Sequence, residues 1–229
     1  MLQIQKKSLL FRTIIIVVIM LSNQLVTAYC IYTWKSNGTL VSPSNCNNNI
    51  GRFLLQNIVI SLPFIVLFLI SLYLLKGRFA DEMYLKVNGK YQKTVVFILS
   101  LVLLTFTIYC LFRQENKIRV ALCLLYYLVF IAFPEEFLVR DVLTYLLKNE
   151  KAIIRYCVPN LLFGLSHVFS YSGWEKITVD YLTHFMTSQL LGLFVSGCIF
   201  QFMKEKTRTI WIPVLIHGFL DYTSILLYK

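Results

Sequence analysis

Seven apolar runs divide the chain, each close to the ~20 residues a helix needs to cross a hydrocarbon layer of ~30 Å. They are Thr13–Trp34, Phe53–Leu75, Thr94–Phe112, Val120–Leu147, Tyr156–Trp174, Tyr181–Met203 and Thr209–Tyr228. Five of them contain no charged residue; the fourth and the seventh do. The chain is 58% hydrophobic and 14% charged, against about 25% charged residues in soluble domains. The expected fold class is therefore all-α: a polytopic membrane helix bundle of about seven transmembrane helices.

The net charge of +11 belongs to this membrane reading. No basic patch stands on a soluble domain, so nucleic acid is not an expected partner, and the excess of lysine and arginine follows the positive-inside bias. With the N-terminus inside, fourteen of the 22 basic residues fall on the cytoplasmic side and seven on the other, leaving Arg140 within a span. The expectation is a multi-pass cell-membrane protein with a cytoplasmic N-terminus. The loop holding Arg113, Lys117 and Arg119 runs against the bias. Lys6, Lys7 and Arg12 resemble the basic start of a signal peptide, but an apolar run of 22 residues exceeds the usual ~7–15, which favours an uncleaved anchor.

The seven runs form two groups. Residues 1–112 hold three plain lipid-type spans, with a kink expected at Pro63; residues 113–229 carry the buried polar groups. The loop Lys76–Lys93 is long enough for a short interfacial helix. Six cysteines lie scattered with no CxxC spacing. Cys30 and Cys46 flank one loop and are candidates for a disulfide.

The fourth run ends in Pro134-Glu-Glu-Phe-Leu-Val-Arg-Asp141. Charges in the bilayer are expensive, face protein or water-filled space, and mark function. Residues four apart share a helix face, whereas neighbours point ~100° apart. Glu136 and Arg140 are thus placed to pair, while Glu135 points elsewhere without an i+4 cation. A carboxylate so placed suits a general base; the alternative for all three is a structural ion-pair lock. In the fifth run Phe163 and His167 share a face, and Gly164 allows a close helix approach. In the seventh, His217 and Asp221 share a face. Asp221 could bond the imidazole, meet a separate ligand or pair with Arg140, since an unpaired buried carboxylate is costly. Asn160 could line a cavity, and His184 reads as a helix-packing polar group. Three helices presenting polar residues at helical spacing indicate one buried, water-accessible site.

Glu-Glu-x-x-x-Arg at 135–140, Phe-x-x-x-His at 163–167 and His-x-x-x-Asp at 217–221, in that order, resemble the CPBP family of intramembrane endopeptidases. That family includes the type II CAAX prenyl proteases and the bacterial abortive-infection and bacteriocin-immunity-like proteins. The resemblance covers roughly residues 120–225 and makes 113–229 the catalytic helical core. It implies a helical bundle with a cavity open to the cytosol. Glu135 would be the general base, with His167 its partner in activating water. His217 and Asp221 would stabilise the oxyanion, and Glu136 and Arg140 would form the orienting pair. The family often has Asn where this chain has Asp221; an ionised Asp would repel an oxyanion, so it must be protonated or orient His217 instead.

The expected activity is hydrolysis of a peptide or membrane-protein substrate within the lipid bilayer, in peptide maturation, signalling or bacteriocin immunity. No Ser or Cys sits in a nucleophile elbow, which favours a glutamic-type peptidase without a cofactor. Two His and one Glu also match catalytic zinc ligands in type, so a zinc-dependent variant is the lesser alternative. A non-enzymatic adaptor or immunity protein, binding a peptide or a sensor partner, is the competing class.

Overall fold

The computed structural model describes residues 9–41, 46, 49–75, 84–168 and 177–227. Every regular element among the described residues is helical: α1 (Leu9–Ser36), α2 (Ile50–Leu75), α3 (Lys90–Arg113), α4 (Lys117–Leu146), α5 (Ala152–Leu165), α6 (Val179–Thr207) and α7 (Trp211–Leu227). The helices α3, α4, α6 and the Ile50–Leu67 portion of α2 are long and apolar enough to cross a membrane, whereas α5 and α7 are shorter apolar helices of 14 and 17 residues. The polytopic helical bundle expected from the sequence is the fold observed. Lys6, Lys7, Lys76, Trp174 and Tyr228, used above for spans and orientation, lie outside the described residues. So does most of the Lys76–Lys93 loop. Its described part, Tyr84–Gly89, is not helical.

Helix α4 is the axis of the bundle, and it is not a uniform α-helix. It runs as α-helix over Lys117–Leu125, widens to π-helix over Tyr126–Ala132, returns to α over Phe133–Glu136 and widens again over Phe137–Leu143. Pro134 explains the first widening. Proline offers no N–H and its ring crowds the carbonyl four residues back, and a π turn re-spaces that carbonyl. Accordingly the Phe133 N–H bonds Leu128 O, five residues back. In the second widening all seven residues are buried. There Arg140 O accepts from the Thr144 hydroxyl and from Lys204 Nζ at 2.7 Å. A backbone acceptor whose helical donor has moved is satisfied by side chains.

Around this axis α7 packs on the first half of α4 and on α3, while α5 packs on α6. Gly218 permits the α4–α7 contact: a Cβ there would stand 3.0 Å from Leu128 Cδ1 and 3.3 Å from its Cα. One apolar cluster joins Phe53, Leu54 and Leu103 to Val120, Tyr126 and Tyr222, so burial is shared between the first three helices and the last four. Cys46 lies in that cluster with Cys123 and is not joined to Cys30. The candidate disulfide is therefore absent: burying Cys46 at 1% exposure directs it into the core. Arg119, counted above as a loop cation, is also buried. Its guanidinium donates to Ile225 O at 3.0 Å, placing positive charge at the C-terminal end of α7, where the helix dipole favours it.

Candidate active site

Glu136 and Arg140 lie on one face of α4, with Arg140 Nε 3.0 Å from Glu136 Oε2 and both side chains only 1% exposed. The other Glu136 oxygen, Oε1, accepts from His217 Nδ1 on α7 at 2.9 Å. Both oxygens of this carboxylate are thus engaged. Arg140 has a second partner in Asn160 Oδ1 on α5. Asn160 is fully buried and donates to Tyr156 O at 2.7 Å. It fills the α5–α6 interface where a Cβ on Gly197 would meet its Oδ1. A buried charge pair is tolerable when its remaining donors and acceptors are bonded; His217 and Asn160 supply two of these bonds, while Arg140 Nη2 bonds no partner among the described residues.

His217 is the hub. With Nδ1 held by Glu136, its Nε2 faces two further carboxylates: Asp221 Oδ2 at 3.4 Å and Glu135 Oε2 at 3.9 Å. Phe200 stacks over the imidazole at 5.9 Å. Accessibility rises outward through this group. Glu136 is 1% exposed, Glu135 and His217 are 14%, and Asp221 is 35%. Of the two adjacent glutamates, one is sealed and saturated while the other stays partly exposed.

His167 enters from α5 by a different device. The helix stops at Leu165 and residues 166–168 form a turn; the remainder of the span expected to Trp174 lies outside the described residues. Ser166 Oγ donates to Phe163 O at 2.7 Å, and His167 Nδ1 lies 2.9 Å from the same carbonyl. A carbonyl only accepts, so Nδ1 carries the proton and the neutral ring keeps its lone pair on Nε2. Phe163 lies edge-on to His167 at 4.6 Å and beneath the Arg140 guanidinium at 5.3 Å, which ties His167 to the α4 group. His167 is also within electrostatic range of His217 and Asp221. At 1.5 Å per residue a 14-residue helix reaches about 21 Å, short of the ~30 Å hydrocarbon layer.

The six residues singled out in the sequence thus stand on three helices. Glu135, Glu136, Arg140, His217 and Asp221 form one contact chain, with His167 attached through Phe163. His184 is exposed on α6 and receives the Ser188 hydroxyl on its backbone carbonyl at 2.7 Å; it plays no part in this group. Asn160 is more central than the sequence suggests, and the only hint was its place one helical turn before Gly164. The pairing of Asp141 with Lys204 Nζ at 2.5 Å, on the far side of the same π turn, was not foreseen. Among the described residues no group of three His, Cys, Asp or Glu side chains has the arrangement of a metal site.

This arrangement can be set against known proteins. Residues 117–223 match the family model described as Type II CAAX prenyl endopeptidase Rce1-like. Residues 117–223 are an Rce1-like domain. The match begins at the first residue of α4 and ends near the close of α7, so it encloses every residue of the candidate site. Neither a curated protein nor a solved structure shows significant similarity to the chain. The match covers somewhat less than half of the chain and supports an intramembrane CAAX-type protease, with a peptide or protein as substrate class and a multi-pass membrane setting.

Proposed function

We propose that the chain is an intramembrane endopeptidase that hydrolyses a peptide or membrane-protein substrate with a water activated by Glu135 and His167. The observation that carries this is the inequality of the paired glutamates. Glu136 has both oxygens bonded and is closed off, whereas Glu135 is part-exposed and approaches His217 only to 3.9 Å. A proton acceptor for water must have an unsaturated carboxylate oxygen that water can reach, which favours Glu135. His167 offers a basic Nε2 with its Nδ1 proton anchored to a carbonyl, and shares the task.

His217 then faces the developing oxyanion with its charge supported by Glu136. Asp221, 3.4 Å from Nε2, orients that imidazole. Glu136 and Arg140 fix the approach of α7 to α4. No Ser or Cys takes part, so water attacks the scissile carbonyl directly and no acyl-enzyme forms; the proton that Glu135 takes from water passes to the leaving amine as the C–N bond breaks. The biological settings consistent with this chemistry are peptide maturation, signalling and bacteriocin immunity.

The test is proteolysis by membranes carrying matched amounts of wild type, Glu135→Gln and His167→Ala. Loss of cleavage in both variants, with insertion and thermal stability retained, supports the reading. Turnover by either overturns it. If Glu135→Gln keeps full biological activity in the native host, the protein acts as a binding adaptor instead. Chelation followed by assay and elemental analysis separates the glutamic mechanism from a zinc-dependent one: activity should survive chelation.

A further inference from the structure

A cavity of about 580 Å³ lies on the far side of the Arg140–Asp141 turn from the candidate site. It forms where three connections meet at one end of the bundle: Tyr84 before α3, Lys148 between α4 and α5, and Arg208 between α6 and α7. Four cations line it, Lys148, Arg155, Lys204 and Arg208, against two carboxylates, Asp141 and Glu205. The carboxylates are committed: Asp141 to Lys204 at 2.5 Å, and Glu205 to Arg155 at 3.5 Å, to Tyr156 at 2.6 Å and to Gln201 at 2.8 Å, so the two cations not paired with them are Lys148 and Arg208. Lys148 and Arg208 stay exposed at the rim. The lining therefore carries an excess of positive charge that the protein does not neutralise.

Two further observations point to an occupant. Gln201 is 1% exposed, and its Oε1 accepts no hydrogen bond among the described residues. A buried amide oxygen left this way costs free energy unless a donor reaches it. Tyr84 and Arg208 are the two non-glycine residues with positive φ among the described residues, at 50° and 52°. Both line this cavity. Left-handed conformations disfavour side chains bearing Cβ, and they persist where a ligand clamp needs them. Arg208 closes α6 at a position where glycine would be the unstrained choice.

We infer that this cavity is a headgroup site for an anionic glycerophospholipid. The phosphodiester sits among the rim cations and a headgroup hydroxyl donates to Gln201 Oε1 on the floor. The place agrees with the chemistry. Charged loops on one end of a membrane bundle lie at headgroup level, where basic pockets between helices hold anionic lipids and tyrosines such as Tyr84 and Tyr145 favour the interface. Phosphatidylglycerol has both the charge and the hydroxyl donors. Phosphatidylcholine has neither the net charge nor a donor, and free inorganic phosphate has no acyl chains to hold it there.

The test is native mass spectrometry of the full chain released from nanodiscs of equal phosphatidylglycerol and phosphatidylcholine. Phosphatidylglycerol should be retained in marked preference. Arg208→Gly and Lys148→Ala should each cut that preference about fivefold, the worth of one basic residue near an anionic lipid surface. Arg208→Gly is the decisive variant, because glycine relieves the positive φ: thermal stability should hold or rise while lipid retention falls. Equal retention of the two lipids overturns the proposal, as does a preference unchanged in both variants. Binding of inorganic phosphate to the detergent-purified protein, dependent on Arg208 and without phosphatidylglycerol retention, makes this a soluble-anion site and also overturns it.

Discussion

Helices α3 and α4 are neighbours of similar span, and they solve opposite problems. In α3, mean hydropathy reaches 2.7 and 17% of the apolar window is buried; in α4 the values are 1.9 and 44%. The sides of α3 carry Phe97, Leu101 and Leu104, all at least half exposed toward the bilayer, so its sequence needs only to be greasy. In the second π turn of α4 no residue is exposed at all. Its side chains answer to other helices, which allows it to hold Glu136, Arg140 and Asp141. Hydropathy thus reports what a helix faces: lipid accepts almost any apolar side chain, whereas protein neighbours specify each position.

The largest effect is expected at the exposed end of the α4 cluster. Glu135→Gln or His167→Ala should lower peptide-bond hydrolysis by about 10²–10⁴-fold, the usual worth of a positioned acid–base group, while the melting temperature stays near wild type. Arg140→Ala should reverse that pattern. It strands Glu136 and removes the bond to Asn160, and should cost about 3–5 kcal/mol in unfolding free energy, because breaking a buried pair leaves an uncompensated charge. An intact fold in Arg140→Ala, measured by denaturant titration in micelles, would erase the distinction between α4 and α3. Gly218→Ala probes the seam itself. The added methyl meets Leu128 at 3.0 Å, and overpacking should destabilise by about 1–3 kcal/mol. The smallest effect belongs to α3: Leu101→Ala, at a position 50% exposed, should stay within about 0.5 kcal/mol of wild type.

What could be read from the sequence follows the same division. The seven runs, the helical class and the i,i+4 faces at Glu136–Arg140, Phe163–His167 and His217–Asp221 are local patterns, and locality is what a sequence displays. The separation of Glu135 from Glu136 also follows from helical geometry alone. Three things were not legible. The second π turn of α4 depends on side-chain donors such as Lys204, 64 residues from Arg140. The early end of α5 rests on two short side chains capturing Phe163 O, which hydropathy does not register. Arg119 and Lys204 looked like loop cations, yet each is buried against a carbonyl of a distant segment. A charged residue near a helix end reads as solvated until its partner is known.

The early stop of α5 matters for supply. A hydrolase consumes one water per bond cut, and hydrocarbon is the poorest source of that reagent in the cell. Under the proposed mechanism the turn at Ser166 serves as a mooring for that reagent. The chain leaves α-geometry there and turns His167 Nδ1 onto Phe163 O at 2.9 Å, which directs Nε2 to the second substrate of the reaction.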